Sequence, residues 1–199
     1  MKTGILGGSF NPPHNSHIQL CEFVKEELDL DKIILIPTGE HPFKRKVGIS
    51  KYDRLEMCRL AVEGKEDYEV SDIEIKKDTP SYTYDTISEM KSDGNNDEYY
   101  FISGSDILFE LTWWKNLRGL SELVSFVTVM RDGVDNSQIL IEAEKINRAF
   151  GTKIILLESA SPIGLSSTEI RADITSARDS LHPKVYDYIM TKGLYQKDR

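Results

Sequence analysis

The chain has 199 residues, of which 25 are Lys or Arg and 33 are Asp or Glu, so its formal net charge is −8. This acidic balance argues against a protein that wraps nucleic acid or lies on an anionic membrane, and any anionic ligand must be met by a local site. The apolar segment at the N-terminus is too short for a signal peptide, and no later run approaches membrane-spanning length. We therefore expect a soluble, cytoplasmic protein with one domain over residues 1–199.

Apolar segments typical of buried β-strands alternate with helical patterns along most of the chain. The predicted strands are Thr3–Leu6, Lys32–Ile36, Tyr99–Ile102, Ser125–Met130, Lys153–Leu157 and the weaker Glu69–Ile73. Such alternation indicates right-handed βαβ units. The sequence thus predicts an α/β fold of the Rossmann-like kind, a doubly wound parallel sheet covered by helices on both faces, with ligands at the carboxyl ends of the strands.

The segment after the first predicted strand has the features of an anion-binding turn. Gly7 and Gly8 end the strand, so the backbone there can take positive φ and can approach a ligand closely. Pro12 and Pro13 stiffen the loop. A helix that begins near Ser16 would aim its free N–H groups back at the loop. The segment matches neither the Walker loop nor the three-glycine dinucleotide fingerprint.

His14 and His17 are three residues apart and would face the same side in a first helical turn. Two imidazoles beside an anion site could donate hydrogen bonds to a phosphate. Alternatively, one histidine caps the helix and the other packs in the interior. A metal-binding pair is a third option, but the chain has only four histidines and no third ligand at a suggestive spacing.

The segment 7–18, GGSFNPPHNSHI, resembles the (T/S)-F-D-P-x-H-x-G-H signature of adenylyl- and cytidylyltransferases. Three further stretches resemble the bacterial nicotinate-mononucleotide adenylyltransferase family: PSYTYDT at 80–86, SSTEIR at 166–171 and VYDYIMTKGLY at 185–195. The resemblance runs from residue 4 to residue 195. It implies a single nucleotidyltransferase domain that joins ATP to nicotinate mononucleotide, with Mg²⁺ carried on ATP and without a metal site of its own. The oligomeric state stays open, and a homo-oligomer is one option.

The resemblance also implies which residues bind ATP. They are Gly8, Ser9, Phe10, His17, Gly104, Asp106, Ser167, Thr168 and Arg171. A glycine at a strand end lets a flat ring approach the backbone, and a carboxylate such as that of Asp106 can accept hydrogen bonds from ribose hydroxyls. Thr168 and Arg171 share a helical face suited to a polyphosphate. The competing structural interpretations are that Asp106 caps a helix and that Ser166 and Glu169 form a capping box.

Nicotinate mononucleotide would be bound by Lys44, Tyr82, Thr83 and Trp114, again by resemblance. Lys44 keeps the positive charge of a phosphate-facing loop. The backbone and hydroxyl at Thr83 could meet the nicotinate carboxylate, and Trp114 is favoured over Trp113 as the ring that stacks on nicotinate, although paired tryptophans are usually packing residues.

The residues assigned to catalysis are His14, His17, Lys44 and Arg171. The expected reaction is in-line attack of a phosphate on the α-phosphorus of ATP, with neither a covalent intermediate nor a general base. The chain departs from the family pattern at Asn11, Ser16, Phe43 and Lys115, where Asp, Gly, His and Tyr are usual. The alternatives are a phosphopantetheine adenylyltransferase, a nucleotide-binding sensor and a metal hydrolase.

Overall fold

The computed structural model of the protein describes residues 1–40, 48–92, 94, 96–131, 136–159 and 167–196. The strands are β1 (Lys2–Gly8), β2 (Lys32–Pro37), β3 (Tyr68–Val70), β4 (Glu98–Gly104), β5 (Val124–Arg131) and β6 (Ile154–Ser159). The helices are α1 (Asn15–Leu28), α2 (Lys51–Ala61), α3 (Thr83–Ser92), α4 (Ser105–Leu108), α5 (Leu117–Leu123), α6 (Ser137–Phe150), α7 (Ser167–Ala172) and α8 (Pro183–Lys192). Short 3₁₀ turns cover Leu111–Trp113 and Arg178–Ser180.

The six strands form one parallel sheet in the order β3-β2-β1-β4-β5-β6. The chain winds from β1 outward to β3, then returns to place β4 on the other side of β1. This reversal puts a crevice at the carboxyl ends of β1 and β4, where doubly wound sheets bind ligands. The predicted fold class and all six predicted strands are confirmed, although the weakest strand ends at Val70, before the predicted Ile73.

Apolar side chains alternate between the two faces of the sheet, so each face has its own core. Leu6 and Leu35 belong to the cluster under α1, α2 and α8, whereas Ile5, Ile34 and Phe101 belong to the cluster under α3, α5 and α6. Helices therefore cover both faces, as predicted. Each fully buried aliphatic side chain of this kind contributes about 1.5–3 kcal/mol to folding.

The C-terminal helix α8 packs against α2 and brings the end of the chain to the site. The Tyr188 hydroxyl donates to Asp53 Oδ1 at 2.8 Å, and Lys192 Nζ reaches the same oxygen at 3.0 Å. This contact carries Tyr195 toward the loop after β1. Within the described ranges, no helix combines the length and apolar character needed to span a membrane.

Candidate active site

The loop after β1 turns at Phe10 rather than at the glycines. Gly7 and Gly8 pair with Ile36 and Pro37 of β2 and stay extended, so the positive φ that glycine permits is not used at these two residues. The left-handed conformation occurs instead at Phe10, with φ of 45°. Burial of the Phe10 ring, which is 2% exposed and packs edge-on against His17, holds this residue in a conformation that non-glycine residues seldom adopt. A Cβ on Gly7 or Gly8 would make only ordinary van der Waals contact with Phe101 or Phe10, so packing alone does not require glycine at these positions.

Four backbone carbonyls of this loop accept hydrogen bonds from donors in three other segments, namely the residues after β2, helix α2 and helix α7. These bonds join Thr38 N to Gly8 O at 2.9 Å, Arg54 Nη1 to Ser9 O at 2.7 Å, Arg171 Nη1 to Asn11 O at 2.8 Å and Ser167 Oγ to Pro12 O at 3.2 Å. Because these four oxygens already accept hydrogen bonds from the protein, they are not free acceptors for a ligand. Such a surface favours an anion, because carbonyl oxygens would repel it.

The two histidines lie at the start of α1, with His14 at the N-cap position. Nδ1 of His17 accepts a hydrogen bond from the His14 backbone N–H at 3.1 Å, and the two ring centroids are 3.7 Å apart. Because Nδ1 is an acceptor, the proton of neutral His17 lies on Nε2, which is left as a donor. His17 thus helps to cap the helix, as one alternative predicted, and keeps a donor for a ligand.

Both histidines are neutral at pH 7. Burial lowers the pKa of His14 to about 4. Burial and the neighbouring His14 ring lower the pKa of His17 to about 3. Among the described residues, Nδ1 of His14 is buried and has no hydrogen-bond partner. The two rings are tilted by 34° relative to each other, and Nδ1 of His17 already accepts a hydrogen bond, so this nitrogen is not free to bind zinc.

Helix α7 places its predicted phosphate-binding residues beside the β1 loop. Nη2 of Arg171 donates to Thr168 Oγ1 at 3.0 Å, so the two side chains share a face as the sequence predicts. The Tyr195 hydroxyl donates to Asn11 Oδ1 at 2.7 Å. The usual Asp at residue 11 would offer the same acceptor, so Asn11 keeps this contact. Ser166, the first residue of the predicted capping box, lies outside the described residues.

Gly104 and Asp106 lie at the carboxyl end of β4, across the crevice from the β1 loop. Gly104 occupies the N-cap position of α4, and Asp106 is an exposed residue of its first turn. Asp106 is therefore not the capping residue. A Cβ on Gly104 would come within 2.8 Å of Asp106 Oδ1, so the glycine leaves room for the carboxylate.

A second group of predicted residues lies at the start of α3 and in the turn before α5. Thr83 is the first residue of α3. Trp114 packs edge-on against Phe101, with centroids 5.4 Å apart and planes at 90°. A Cβ on Gly7 would lie 3.4 Å from the same Phe101 ring, which places Trp114 one ring away from the end of β1. Trp113, in contrast, is 79% exposed.

Lys115, one of the departures from the family pattern, joins these two segments. Its ammonium lies 2.7 Å from Asp85 Oδ2 and 4.8 Å from the centre of the Tyr82 ring. The group comprising Tyr82, Thr83, Trp114 and Lys115 is called the α3 end of the site below. The loop 8–13 with His14, His17 and the described part of α7 is called the β1 end. Lys44 and Phe43 lie outside the described residues.

Comparison with known proteins agrees with this geometry. Residues 5–173 match the family model described as cytidylyltransferase-like. The chain belongs to the cytidylyltransferase-like family. It is 37% identical to the probable nicotinate-nucleotide adenylyltransferases of Clostridium tetani, over 98% of this chain and 99% of the relative, and of Carboxydothermus hydrogenoformans, over 98% of each. The family resemblance inferred from the four motifs is thereby confirmed.

Solved structures of this family share the fold. Plasmodium falciparum nicotinic acid mononucleotide adenylyltransferase complexed with NaAD superposes with a TM-score of 0.76 at 24% identity, covering 98% of each chain. The same enzyme complexed with APC gives 0.75 at 23% identity, covering 98% of this chain and 96% of the other. At this level of identity, the comparison supports the Rossmann-like architecture.

Two residues that contact the β1 loop of this cytidylyltransferase-like chain were missed by sequence reasoning, Arg54 and Tyr195. Arg54 is 3% exposed, although it lies among ordinary helix-forming residues of α2. The only available signal was the position of Arg54 next to the apolar Leu55, on the buried side of a predicted helix. This signal is weak, because charged residues are seldom fully buried unless they are paired. Tyr195 lay within a motif that identified the family but carried no assigned role.

Proposed function

We propose that the protein transfers the adenylyl group of ATP to the 5′-phosphate of nicotinate mononucleotide, giving nicotinate adenine dinucleotide and pyrophosphate. The observation that carries the proposal is the β1 end, where arginine side chains donate to the loop carbonyls and His17 keeps an Nε2 donor in the same region. The names of the full-length relatives, probable nicotinate-nucleotide adenylyltransferases, support the substrate assignment. The whole chain, residues 1–199, forms the single nucleotidyltransferase domain of this proposal.

The nucleophile of this reaction does not need a general base. The second pKa of a phosphate monoester is about 6, so the 5′-phosphate is mostly a dianion at neutral pH. Its oxygen attacks the α-phosphorus of ATP in line, the bond to the bridging oxygen breaks, and pyrophosphate leaves. The protein's task is to hold two anions in contact and stabilise the charge that shifts to the leaving group.

Neutral histidines suit this task better than they suit proton transfer. The low pKa values of His14 and His17 leave both rings without charge at pH 7. The Nε2–H of His17 therefore acts as a hydrogen-bond donor to a phosphate oxygen. Arg171 supplies the permanent charge from α7 and, with Ser167 and Thr168, binds the triphosphate. Lys44 is proposed to meet the phosphate of nicotinate mononucleotide.

The adenosine part of ATP is assigned to the end of β4. Gly104 admits the flat base to the backbone, and the exposed Asp106 carboxylate accepts hydrogen bonds from the nucleoside. At the α3 end, the backbone N–H at Thr83 meets the nicotinate carboxylate. Tyr82 and Trp114 provide the aromatic surroundings of the ring.

Mg²⁺ enters this proposal as a companion of ATP. In the described residues, no group of three or more His, Cys, Asp or Glu side chains is placed to hold a metal ion. Mg²⁺ prefers oxygen ligands and usually keeps several waters with one or two carboxylates plus substrate phosphates. The ion supplies charge neutralisation on the phosphates, and the chain's own donors orient them. The use of ATP agrees with the cytoplasmic location that the sequence predicts.

The test is dinucleotide formation from Mg-ATP with three separate acceptors, nicotinate mononucleotide, nicotinamide mononucleotide and phosphopantetheine. Pyrophosphate release is measured, and mass spectrometry identifies the adenylylated product. Turnover mainly with nicotinate mononucleotide is expected. Turnover mainly with phosphopantetheine would assign the chain to the other transferase, and ATP binding without turnover on any acceptor would favour a nucleotide-binding sensor.

A further inference from the structure

Arg54 is a buried cation, and its hydrogen-bond partners among the described residues are backbone carbonyls. Its Nη1 donates to Ser9 O at 2.7 Å, and its Nη2 donates to Thr38 O at 2.6 Å and Gly39 O at 3.3 Å. Within the part of the chain that the structure describes, no ion pair joins the guanidinium to a carboxylate. One side chain of α2 therefore holds the loop after β1 and the segment after β2 together.

Gly39 is also held from its amide side, by Glu74. Oε2 of Glu74 accepts from the Gly39 N–H at 3.4 Å, and Oε1 accepts from Thr86 Oγ1 at 2.8 Å. Glu74 is 8% exposed, and burial raises its pKa. A Cβ on Gly39 would lie 2.3 Å from the Glu74 carbonyl oxygen, so only glycine fits between them. Two buried side chains of opposite charge thus bind Gly39, Arg54 at its carbonyl and Glu74 at its amide.

Arg54 affects the β1 loop through the peptide group that joins Ser9 to Phe10. The Ser9 carbonyl that Arg54 binds belongs to the same peptide as the Phe10 N–H. A cation bound to a carbonyl polarises that peptide and strengthens its N–H as a donor. Phe10 lies in the loop that the proposed function assigns to ATP, and Thr86 lies in the first turns of α3. The polar chain from Ser9 through Arg54, Gly39 and Glu74 to Thr86 therefore connects the β1 end with α3.

We infer that Arg54 is a positioning residue for adenylyl transfer: it fixes the β1 loop and the Thr38–Gly39 segment relative to each other, while Glu74 balances its charge. This inference rests on the proposed function. Arg54 does not touch the reacting atoms in this account. Its loss should therefore lower kcat more than it raises the KM of either substrate.

The decisive set of variants is Arg54→Lys, Arg54→Met, Glu74→Gln and the double variant Arg54→Met/Glu74→Gln. Arg54→Met leaves the Glu74 carboxylate buried without its balancing charge, so both kcat and the unfolding midpoint should fall. In the double variant the midpoint should recover in part, because the Glu74 charge is removed while the three carbonyls that Arg54 bound still lack their donor, whereas kcat should stay as low as in Arg54→Met. Recovery of kcat together with the midpoint would overturn the inference and leave Arg54 with a structural role only.

Arg54→Lys keeps the positive charge in a folded protein. It loses the guanidinium, whose two Nη atoms reach both the β1 loop and the Thr38–Gly39 segment. We expect kcat to fall about tenfold, as for loss of one charged hydrogen bond, with both KM values within about threefold of wild type. Hydrogen exchange of the Thr38 and Gly39 amides should accelerate about tenfold, and that of α6 amides should not change. Unchanged hydrogen exchange at Thr38 and Gly39 in Arg54→Lys would overturn the inference, whatever reaction the protein catalyses. Failure of the wild-type protein to form the dinucleotide would overturn only the proposed function.

Discussion

The β1 end and the α3 end of the site are built in different ways. At the β1 end, the side chains that hold the loop are buried or half-buried and bonded to backbone carbonyls, and the histidines are neutral. At the α3 end, the ion pair between Lys115 and Asp85 is open to solvent, and the neighbouring Trp113 is exposed as well. A rigid, preorganised end suits charge stabilisation, which demands fixed geometry. Exposed side chains can be substituted with little cost to folding. Lys115, which replaces the Tyr usual in the family, lies at this exposed end.

The largest effect is expected from Arg171→Ala. This change removes the guanidinium that holds the Asn11 carbonyl and that we assign to the triphosphate. Loss of a preorganised donor typically costs about 2.7–4 kcal/mol, or about 10² to 10³ in kcat, so a loss in this range is expected in steady-state assays. Arg178→Ala is the matched control. Arg178 lies in the 3₁₀ turn before α8, its guanidinium packs over the Tyr186 ring, and it is not assigned to the triphosphate. Equal losses of kcat in the two variants would mean that the effect of Arg171→Ala is not specific to the β1 end.

The acid stability of the protein should report the buried histidine pair. Between about pH 4 and 6.5, the unfolded chain protonates His14 and His17 while the folded protein does not, so the unfolded state binds more protons and stability falls as the pH is lowered. Each histidine contributes a slope of up to about 1.36 kcal/mol per pH unit in this window. Urea unfolding at several pH values should show a shallower slope for His17→Gln than for wild type. An unchanged slope would mean that His17 is protonated in the folded protein.

At the α3 end, Trp114→Ala should act on substrate binding. Loss of an aromatic stacking partner is worth about 0.5–1.5 kcal/mol beyond buried area, which predicts a rise of about two- to tenfold in KM for nicotinate mononucleotide and little change in the KM of ATP. Trp113→Ala is the matched control and should stay near wild type. A larger KM effect for Trp113→Ala would transfer the stacking role to the exposed ring.

The smallest effect is expected from Lys115→Tyr, which introduces the usual family residue. The ion pair with Asp85 is solvent-exposed, and such pairs contribute about 0.2–1 kcal/mol. Because the ammonium is already paired, the ratio of kcat/KM for nicotinate and nicotinamide mononucleotide should change by less than about threefold. Lys145→Ala, which breaks the exposed pair with Glu142, controls for stability in thermal unfolding. A tenfold change in the ratio would make Lys115 a determinant of substrate choice.

The sequence was sufficient to predict the fold and the general location of the site. Strand and helix patterns are local, so the parallel sheet and its ligand-binding edge follow from them, and the spacing of His14 and His17 predicted their shared face. Conformation inside the β1 loop was predicted less well. Pairing of Gly7 and Gly8 with β2 keeps them extended, and the turn falls on Phe10 because its ring is buried.

Contacts between distant segments could not be predicted from the sequence. Arg54 lies 45 positions from Ser9, and Lys115 lies 30 positions from Asp85. Nothing in the local pattern of α2 or of the turn before α5 specifies these partners. They are set by how the helices pack on the sheet, which brings together segments that local periodicity treats separately.

The most direct measurement is the rate of dinucleotide formation in a single turnover with saturating ATP and nicotinate mononucleotide. Rapid quenching would compare wild type with His17→Ala, with Trp114→Ala and with the control His182→Ala, whose ring lies at the N-cap position of α8. We expect the rate to fall by about 10² to 10³ for His17→Ala and to stay within about threefold of wild type for the other two variants. A near-wild-type rate for His17→Ala, or a larger loss for Trp114→Ala, would contradict the assignment of the chemistry to the β1 end.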